Sequence, residues 1–102
     1  MKRGDQLIAE ERAKQVLKLD FDQAHDSQWK SNELLRAAQC YLNHVIARGW
    51  RTQSHSLAYY QGYDGPPDDW PWDPSWWRPE SPEKDMIKAA ALIAAEYDRR
   101  TE

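Results

Sequence analysis

Two neighbouring residues, His25 and Asp26, have the side chains best suited to chemistry in this chain of 102 residues. Imidazole and carboxylate groups serve as metal ligands and as general bases, so these two residues with Glu33 could begin a metal or hydrolase site, which distant Glu96 or Asp85 would have to complete. A catalytic metal needs about three protein ligands, but the spacing of these residues matches no metal motif. Because His25 or Asp26 could simply cap a turn before the second helix, we assign no catalytic residue, no metal and no cofactor.

A second group of charged residues is spread over three predicted helices: Glu11, Arg12, Glu33, Lys88 and Glu96. In a helical bundle they could form an inter-helix charge network or line a polar pocket. Removing one partner from a buried network leaves an unpaired charge, which lowers the stability of the fold by about 3–5 kcal/mol. Such a network would therefore favour one register of the helices over others. All-helical nucleotide pyrophosphohydrolases hold magnesium with E-x-x-E and E-x-x-D pairs, and neither Glu33 nor Glu96 begins such a pair. We therefore favour the structural network.

The segment at 70–79, WPWDPSWWRP, contains four tryptophans and three prolines. Each proline removes an amide donor and holds the preceding residue extended, so the segment cannot be a helix. Its indoles could complete the core, anchor a partner protein, or stack a base while Arg78 or Arg51 contacts a phosphate. Six tryptophans are more than a thin helical core requires, so the binding roles remain open.

Composition excludes several classes of protein. A net charge of -3 indicates neither a basic nucleic-acid surface nor a strongly acidic DNA mimic. No run approaches the ~20 apolar residues of a membrane span, and the N-terminus has no apolar signal region. Cys40 is the only cysteine, which fits a reducing cytoplasm and a buried, inert thiol. The mean hydropathy of -1.00 predicts a thin core that gains from self-association.

Hydrophobic spacing predicts an all-α fold with three principal helices in a single domain. We expect helices at about 5–19, 31–48 and 81–99, and a long Trp/Pro-rich loop over 50–80 between the second and third. The third helix has the clearest start, because a serine cap, a proline and an acid follow one another at 81–83.

The first helix is only weakly amphipathic. Ala9 and Ala13 lie on its apolar face, and Arg12 and Gln15 flank that face. The two polar side chains could face water or could line a site.

Five patterns along the chain resemble a family of small accessory proteins from bacteriophage and prophage genomes. They are E-R-x-x-Q at 11–15, H-D at 25–26, E-L-x-x-A-A-x-x-Y at 33–41, W-P-W-x-x-x-W-W-x-P at 70–79 and K-A-x-A-L-I-x-A-E at 88–96. The tryptophan pattern is the most specific of the five. The stretch at 51–63 looks longer than the usual connection in the family, and we assign it no shared role. The resemblance implies a phage setting and no particular reaction.

Three functions are compatible with these observations. The first is a non-enzymatic phage protein of the host cytoplasm that binds a host protein and blocks or redirects it. The second is a nucleotide-binding protein that sequesters a signalling nucleotide during host defence. The third is a metal-dependent hydrolase at His25, Asp26, Glu33 and Glu96.

We favour the first function, with a homo-oligomer and without nucleic-acid or membrane partners. The predicted binding residues are Trp70, Trp72, Trp76, Trp77, Arg78, Arg12, His25, Asp26, Glu33, Tyr41, Lys88 and Glu96.

Overall fold

The computed structural model describes residues 2–22, 32–49, 57–62 and 65–101. Its helices are α1 (Gly4–Asp22), α2 (Glu33–Arg48), the short α3 (Leu57–Gln61) and α4 (Pro82–Thr101), and a 3-10 turn spans Pro74–Trp76. The described ranges contain no strand, so the predicted all-α fold is confirmed. The three long helices lie within three residues of their expected bounds, and the long connection between α2 and α4 carries α3 and the 3-10 turn.

Helices α2 and α4 pack side by side and run antiparallel. A Cβ atom added to Gly49, just after α2, would lie 3.3 Å from Cβ of Pro82 at the start of α4. At the other end, Arg100 Nη2 donates to Asn32 Oδ1 at 2.8 Å. Small side chains allow the close approach, and the buried core comprises Leu34, Ala37, Ala38, Cys40, Tyr41, Trp70, Ala89, Leu92 and Ala95.

The start of α4 is capped as the sequence predicts. Ser81 Oγ accepts a hydrogen bond from the backbone N–H of Lys84 at 3.2 Å, and Pro82 occupies the first helical position. This serine satisfies one of the amide donors that a helix leaves unpaired at its N-terminus. The cap therefore fixes where the aromatic loop ends and α4 begins.

Helix α1 contacts α4 through polar side chains. Arg12 Nη2 forms an ion pair with Asp98 Oδ2 at 2.9 Å, and Gln15 Nε2 donates to the carbonyl oxygen of Lys88 at 3.4 Å. Ala9 and Ala13, two of the residues expected on the apolar face, are both exposed, whereas the side chains of Val16 and Leu17 lie outside the described ones. Alanine loses little by facing water, so these weakly apolar positions do not decide which side of α1 turns inward.

The aromatic segment, residues 65–81, lies across α2 and α4. Trp70 is buried, and its Nε1 donates to the carbonyl oxygen of Asp73 at 3.0 Å. Tyr41 of α2 stacks on Trp77 with ring centroids 4.8 Å apart and meets the edge of Trp70 at 5.6 Å. The prolines and tryptophans thus form an ordered layer on the helices.

Asp85 is a buried polar centre that ties α3 and the aromatic segment to α4. Tyr60 Oη donates to its Oδ2 at 2.6 Å, and the backbone N–H of Glu80 donates to its Oδ1 at 3.1 Å. Burial raises the pKa of the Asp85 carboxyl, and the hydrogen bonds from Tyr60 and Glu80 oppose that rise. His44 Nε2 donates to the carbonyl oxygen of Tyr60 at 2.6 Å, and burial lowers the pKa of this imidazole. A neutral His44 with its proton on Nε2 therefore anchors α3 to α2.

Candidate functional site

A cleft of about 120 Å³ lies where α1, α2, α4 and the aromatic segment meet. Its lining combines three indoles with polar side chains from all three long helices. The lining residues are Glu11, Gln15, Tyr41, Trp70, Trp72, Trp76, Arg78, Lys88 and Leu92.

The aromatic side of the cleft depends on the 3-10 turn. Asp73 caps this turn, because its Oδ1 accepts from the backbone N–H and the hydroxyl of Ser75 at 2.9 and 2.7 Å. These bonds lower the pKa of the exposed Asp73 carboxyl. The turn brings Trp72 and Trp76 together with ring centroids 5.9 Å apart, and Trp72 meets the edge of Trp70 at 5.4 Å. Both Trp72 and Trp76 are half-buried, so part of each indole stays accessible.

The opposite side of the cleft comes from α1. Glu11 and Gln15 are four residues apart, which places them on one face of the helix. Gln15 uses its Nε2 on the Lys88 carbonyl, and its Oε1 is buried without a hydrogen-bond partner in the described part of the chain. The Lys88 carbonyl can only accept, so the amide must present its nitrogen there and its oxygen elsewhere.

Tyr41 and Lys88 form the inner end of the cleft. Tyr41 Oη accepts from the backbone N–H of Arg78 at 3.3 Å, and burial raises the pKa of Tyr41 to about 12. Lys88 Nζ lies 5.2 Å from the centroid of the Tyr41 ring, a cation–π distance. Tyr41 therefore keeps its phenolic proton at neutral pH and can donate a hydrogen bond.

The ammonium group of Lys88 is already occupied. It donates to the carbonyl oxygen of Arg78 at 2.6 Å and pairs with Glu80 Oε2 at 2.8 Å and Asp85 Oδ1 at 3.6 Å. The hydrogen bond from Lys88 lowers the pKa of the Glu80 carboxyl. Lys88 thus fastens the aromatic segment to α4, and two carboxylates balance its charge.

Arg78 is the exposed cation at the mouth of the cleft. Its Nε donates to the carbonyl oxygen of Ser75 at 3.4 Å, which holds the side chain against the 3-10 turn. Its side chain faces solvent, so its charge is screened.

Six of the twelve predicted binding residues line this cleft: Trp70, Trp72, Trp76, Arg78, Tyr41 and Lys88. Trp77 turns to the other side of Tyr41, meets His44 at 5.5 Å and lines a separate cavity of about 280 Å³ beside Cys40. Cys40 is buried as predicted, and burial raises the pKa of its thiol.

Three other predicted residues, Arg12, Glu33 and Glu96, do not belong to the cleft lining. Arg12 pairs with Asp98, and Glu33 is half-buried at the first position of α2. Glu96 is buried and accepts from Arg99 and Arg100 on its own helix. His25 and Asp26 lie outside the described residues, and among the described ones no three His, Cys, Asp or Glu side chains are grouped to hold a metal.

The predicted charge network is wrong in its membership. Arg12, Lys88 and Glu96 each pair with a residue outside the predicted set, namely with Asp98, with Glu80 and Asp85, and with Arg99 and Arg100. Lys88 and Glu96 are eight residues apart on α4, or about 12 Å along the axis, so one charge centre cannot include both. The helices are instead fixed by separate local pairs.

The cleft contains Glu11, Gln15 and Leu92, which the predicted site residues do not include. The E-R-x-x-Q pattern carries the signal for the first two, because it places an acid and an amide one turn apart on a single face. No comparable sequence signal distinguishes Leu92 from any other apolar residue of α4.

Comparison with protein-family models, curated proteins and solved structures found no match to this chain. Within the described ranges, none of the helices combines the length and the apolar character needed to span a bilayer.

Proposed function

We propose that this chain is a phage accessory protein that binds a host protein and blocks or redirects it. The observation that carries the proposal is the cleft between α1 and the aromatic segment, where accessible indoles lie beside polar side chains. Tryptophan, tyrosine and arginine dominate the energetically important positions of protein interfaces, and all three occur here. The sequence resemblance supports the phage setting, and the single cysteine supports a location in the host cytoplasm.

The size of the cleft favours a protein side chain over a whole nucleotide. Pockets for drug-sized ligands enclose roughly 300–1,000 Å³, whereas this cleft holds about 120 Å³. Arg78 at the mouth is the cation best placed to contact a phosphate, because the charge of Lys88 is already paired with Glu80 and Asp85. An anchoring side chain from a partner fits both observations.

The test compares capture of host proteins by the folded chain and by matched variants. Immobilised wild-type protein and a Trp76→Ala variant are exposed to host lysate, with Leu57→Ala as a control because Leu57 is exposed on α3, away from the cleft. We expect one partner that the wild type and L57A retain and that W76A loses. Circular dichroism melting of each variant confirms that it is folded.

Two outcomes would overturn this proposal. One is that the wild type retains no specific partner, and the other is that W76A retains the partner as well as the wild type does. A nucleotide panel forms the competing arm: quenched tryptophan fluorescence together with a raised melting temperature would assign the cleft to a nucleotide.

We also propose that the chain forms a homodimer through the outer face of α2 and α4. This face carries the exposed apolar residues Leu42, Ile46, Met86, Ile93 and Tyr97. Their spacing of four residues on α2, and of seven and four on α4, keeps each set on one side of its helix. Because the helices are antiparallel, Ile46 and Met86 share one end of the face and Tyr97 lies at the other.

Charges at the two ends of this outer face suit a second copy of the chain. Glu83 lies near Met86 and has no ion pair within the described ranges, whereas Arg99 and Arg100 lie near Tyr97. A two-fold partner with its α4 antiparallel would bring the Glu83 end of each copy against the arginine end of the other. Light scattering should give a dimer for the wild type and for Leu57→Glu, and a monomer for Ile46→Glu. A monomeric wild type at high concentration would refute this interface.

A further inference from the structure

We propose that the group held in the cleft is a protonated arginine side chain of the partner, an inference that rests on the proposed function. The α1 side of the cleft offers two acceptor groups, from Glu11 and Gln15, and the facing side offers indole surfaces. A guanidinium group is the protein side chain that combines several N–H donors, a positive charge and a flat surface for stacking.

Gln15 favours a ligand that donates a hydrogen bond. Its Oε1 is buried without a hydrogen-bond donor in the described part of the chain, while its Nε2 donates to the Lys88 carbonyl. Because the Gln15 side chain lines the cleft, a ligand with an N–H group could satisfy this oxygen, whereas an aliphatic anchor or a trimethylated lysine could not.

Glu11 shows that the ligand is positively charged. It forms no ion pair or hydrogen bond within the described ranges, although it lines the cleft one turn from Gln15. Its charge reaches the inner end of the cleft, since Glu11 is among the groups that raise the pKa of Tyr41 after burial, the main cause. A neutral ligand would bury this carboxylate without a partner, and an anion would be repelled by it.

The two cations of the cleft do not prevent this binding. The charge of Lys88 is balanced by ion pairs with Glu80 and Asp85. Arg78 is exposed, and its Nε is held by the Ser75 carbonyl, so its charge lies at the solvent-screened mouth. Glu11 is the acidic residue among the lining residues, and its carboxylate is the group that attracts an incoming cation.

The indoles favour arginine over lysine. Trp72 and Trp76 are half-buried with ring centroids 5.9 Å apart, so each presents an accessible aromatic surface. The planar guanidinium stacks on such surfaces and is less strongly hydrated than a lysine ammonium. The volume of about 120 Å³ suits a single side chain.

The test uses N-acetyl-arginine amide as the probe, with the lysine amide and the neutral citrulline amide as competitors of similar size. Titration is followed by the tryptophan indole N–H and Gln15 side-chain signals in nitrogen-15 NMR spectra. We expect the arginine probe to bind most tightly and the citrulline probe at least about tenfold more weakly, because a hydrogen bond to a charged group is worth more than a neutral one. Equal binding of the arginine and citrulline probes would overturn the inference.

Variants locate the binding on α1. Glu11→Gln and Gln15→Leu should each weaken the arginine probe by roughly tenfold, the loss expected for one charge-assisted hydrogen bond. Glu10→Gln is the matched control, because Glu10 is exposed on the same helix and pairs with Lys2. If E11Q binds the probe as the wild type does, the inference is wrong.

The outcomes separate this inference from the proposed function. Capture of a host protein that depends on Trp76 but is unaffected by E11Q, Q15L and excess arginine probe would overturn the arginine assignment and leave the function standing. Specific binding of the arginine probe without any captured protein would support the arginine-binding cleft and overturn the proposed function.

Discussion

Replacing Glu96 with glutamine should destabilise the folded protein at neutral pH. The side chain of Glu96 is 3% exposed and accepts hydrogen bonds from Arg99 at 2.8 Å and from Arg100. Hydrogen bonding from Arg99 is the main cause that lowers the pKa of Glu96 from 4.5 to about 2. Glutamine would keep one acceptor oxygen, lose the charge and point an N–H₂ group at guanidinium donors.

The magnitude follows from the pKa difference. Lowering the pKa of Glu96 from 4.5 to about 2 would stabilise the folded state by about 3 kcal/mol at pH 7 if solvent did not screen the charges. The two guanidinium groups are 43% and 54% exposed, so solvent and salt screen part of the attraction. We therefore expect E96Q to lower the free energy of unfolding by about 1–2 kcal/mol.

The contribution of Glu96 to the free energy of unfolding should decrease as the pH falls. Because the folded-state pKa of Glu96 lies below its unfolded value, its contribution is fully present above about pH 4.5 and is lost as the pH falls towards 2. Urea unfolding of the wild type and E96Q should thus differ most at pH 7, differ less at pH 3 and converge as the pH approaches 2. Glu10→Gln is the control, since Glu10 is exposed and pairs with an exposed lysine, Lys2. An E96Q deficit that is equally large at pH 7 and pH 3, or absent at pH 7, would refute the reasoning.

Three further experiments test the packing: a substitution of Tyr60, substitutions of two glycines and labelling of the Cys40 thiol. Tyr60→Phe removes the donor to buried Asp85 and should cost about 1–3 kcal/mol in urea unfolding, whereas an unchanged midpoint would contradict that hydrogen bond. Gly62→Ala should lower the melting temperature, because Gly62 has φ +72° and an added Cβ would lie 2.9 Å from Arg48 Nη1. Gly65→Ala has φ +75° but open space around the added Cβ, so it should lower the melting temperature by no more than Gly62→Ala does. The Cys40 thiol should react with Ellman's reagent only after urea unfolding, and rapid labelling of folded protein would show that it is accessible.

The long helices were predictable because local signals agree with the final packing. Ser81 and Pro82 mark the start of α4 by cap chemistry that operates within four residues. Helix α3 was harder to predict, because its five residues are held by tertiary contacts. Tyr60 bonds to Asp85, 25 residues away, and its carbonyl accepts from His44, 16 residues away. The hydrophobic periodicity of the sequence does not indicate either of these two partners.

The site was predicted more completely on its aromatic side than on its α1 side. The prolines of 70–79 exclude an α-helix by their own chemistry, and three of the four indoles do line the cleft. Trp77 turns away because Tyr41 stacks on it, a contact that spans 36 residues of sequence. Glu11 and Gln15 line the cleft, but the weak amphipathicity of α1 does not indicate which of its faces turns inward.

One side of the cleft belongs to α1, which the described side chains join to α4 by two polar links. These are the Arg12–Asp98 pair, in which Asp98 is 50% exposed, and the Gln15 hydrogen bond to the Lys88 carbonyl. A ligand that bridges Glu11 to the indoles would add a third link and would raise the free energy needed to detach α1. Backbone amides of α1 should then exchange with deuterium more slowly in the complex, while those in the middle of α4 change little. Binding in the cleft would in this way hold the first helix more firmly against the rest of the protein.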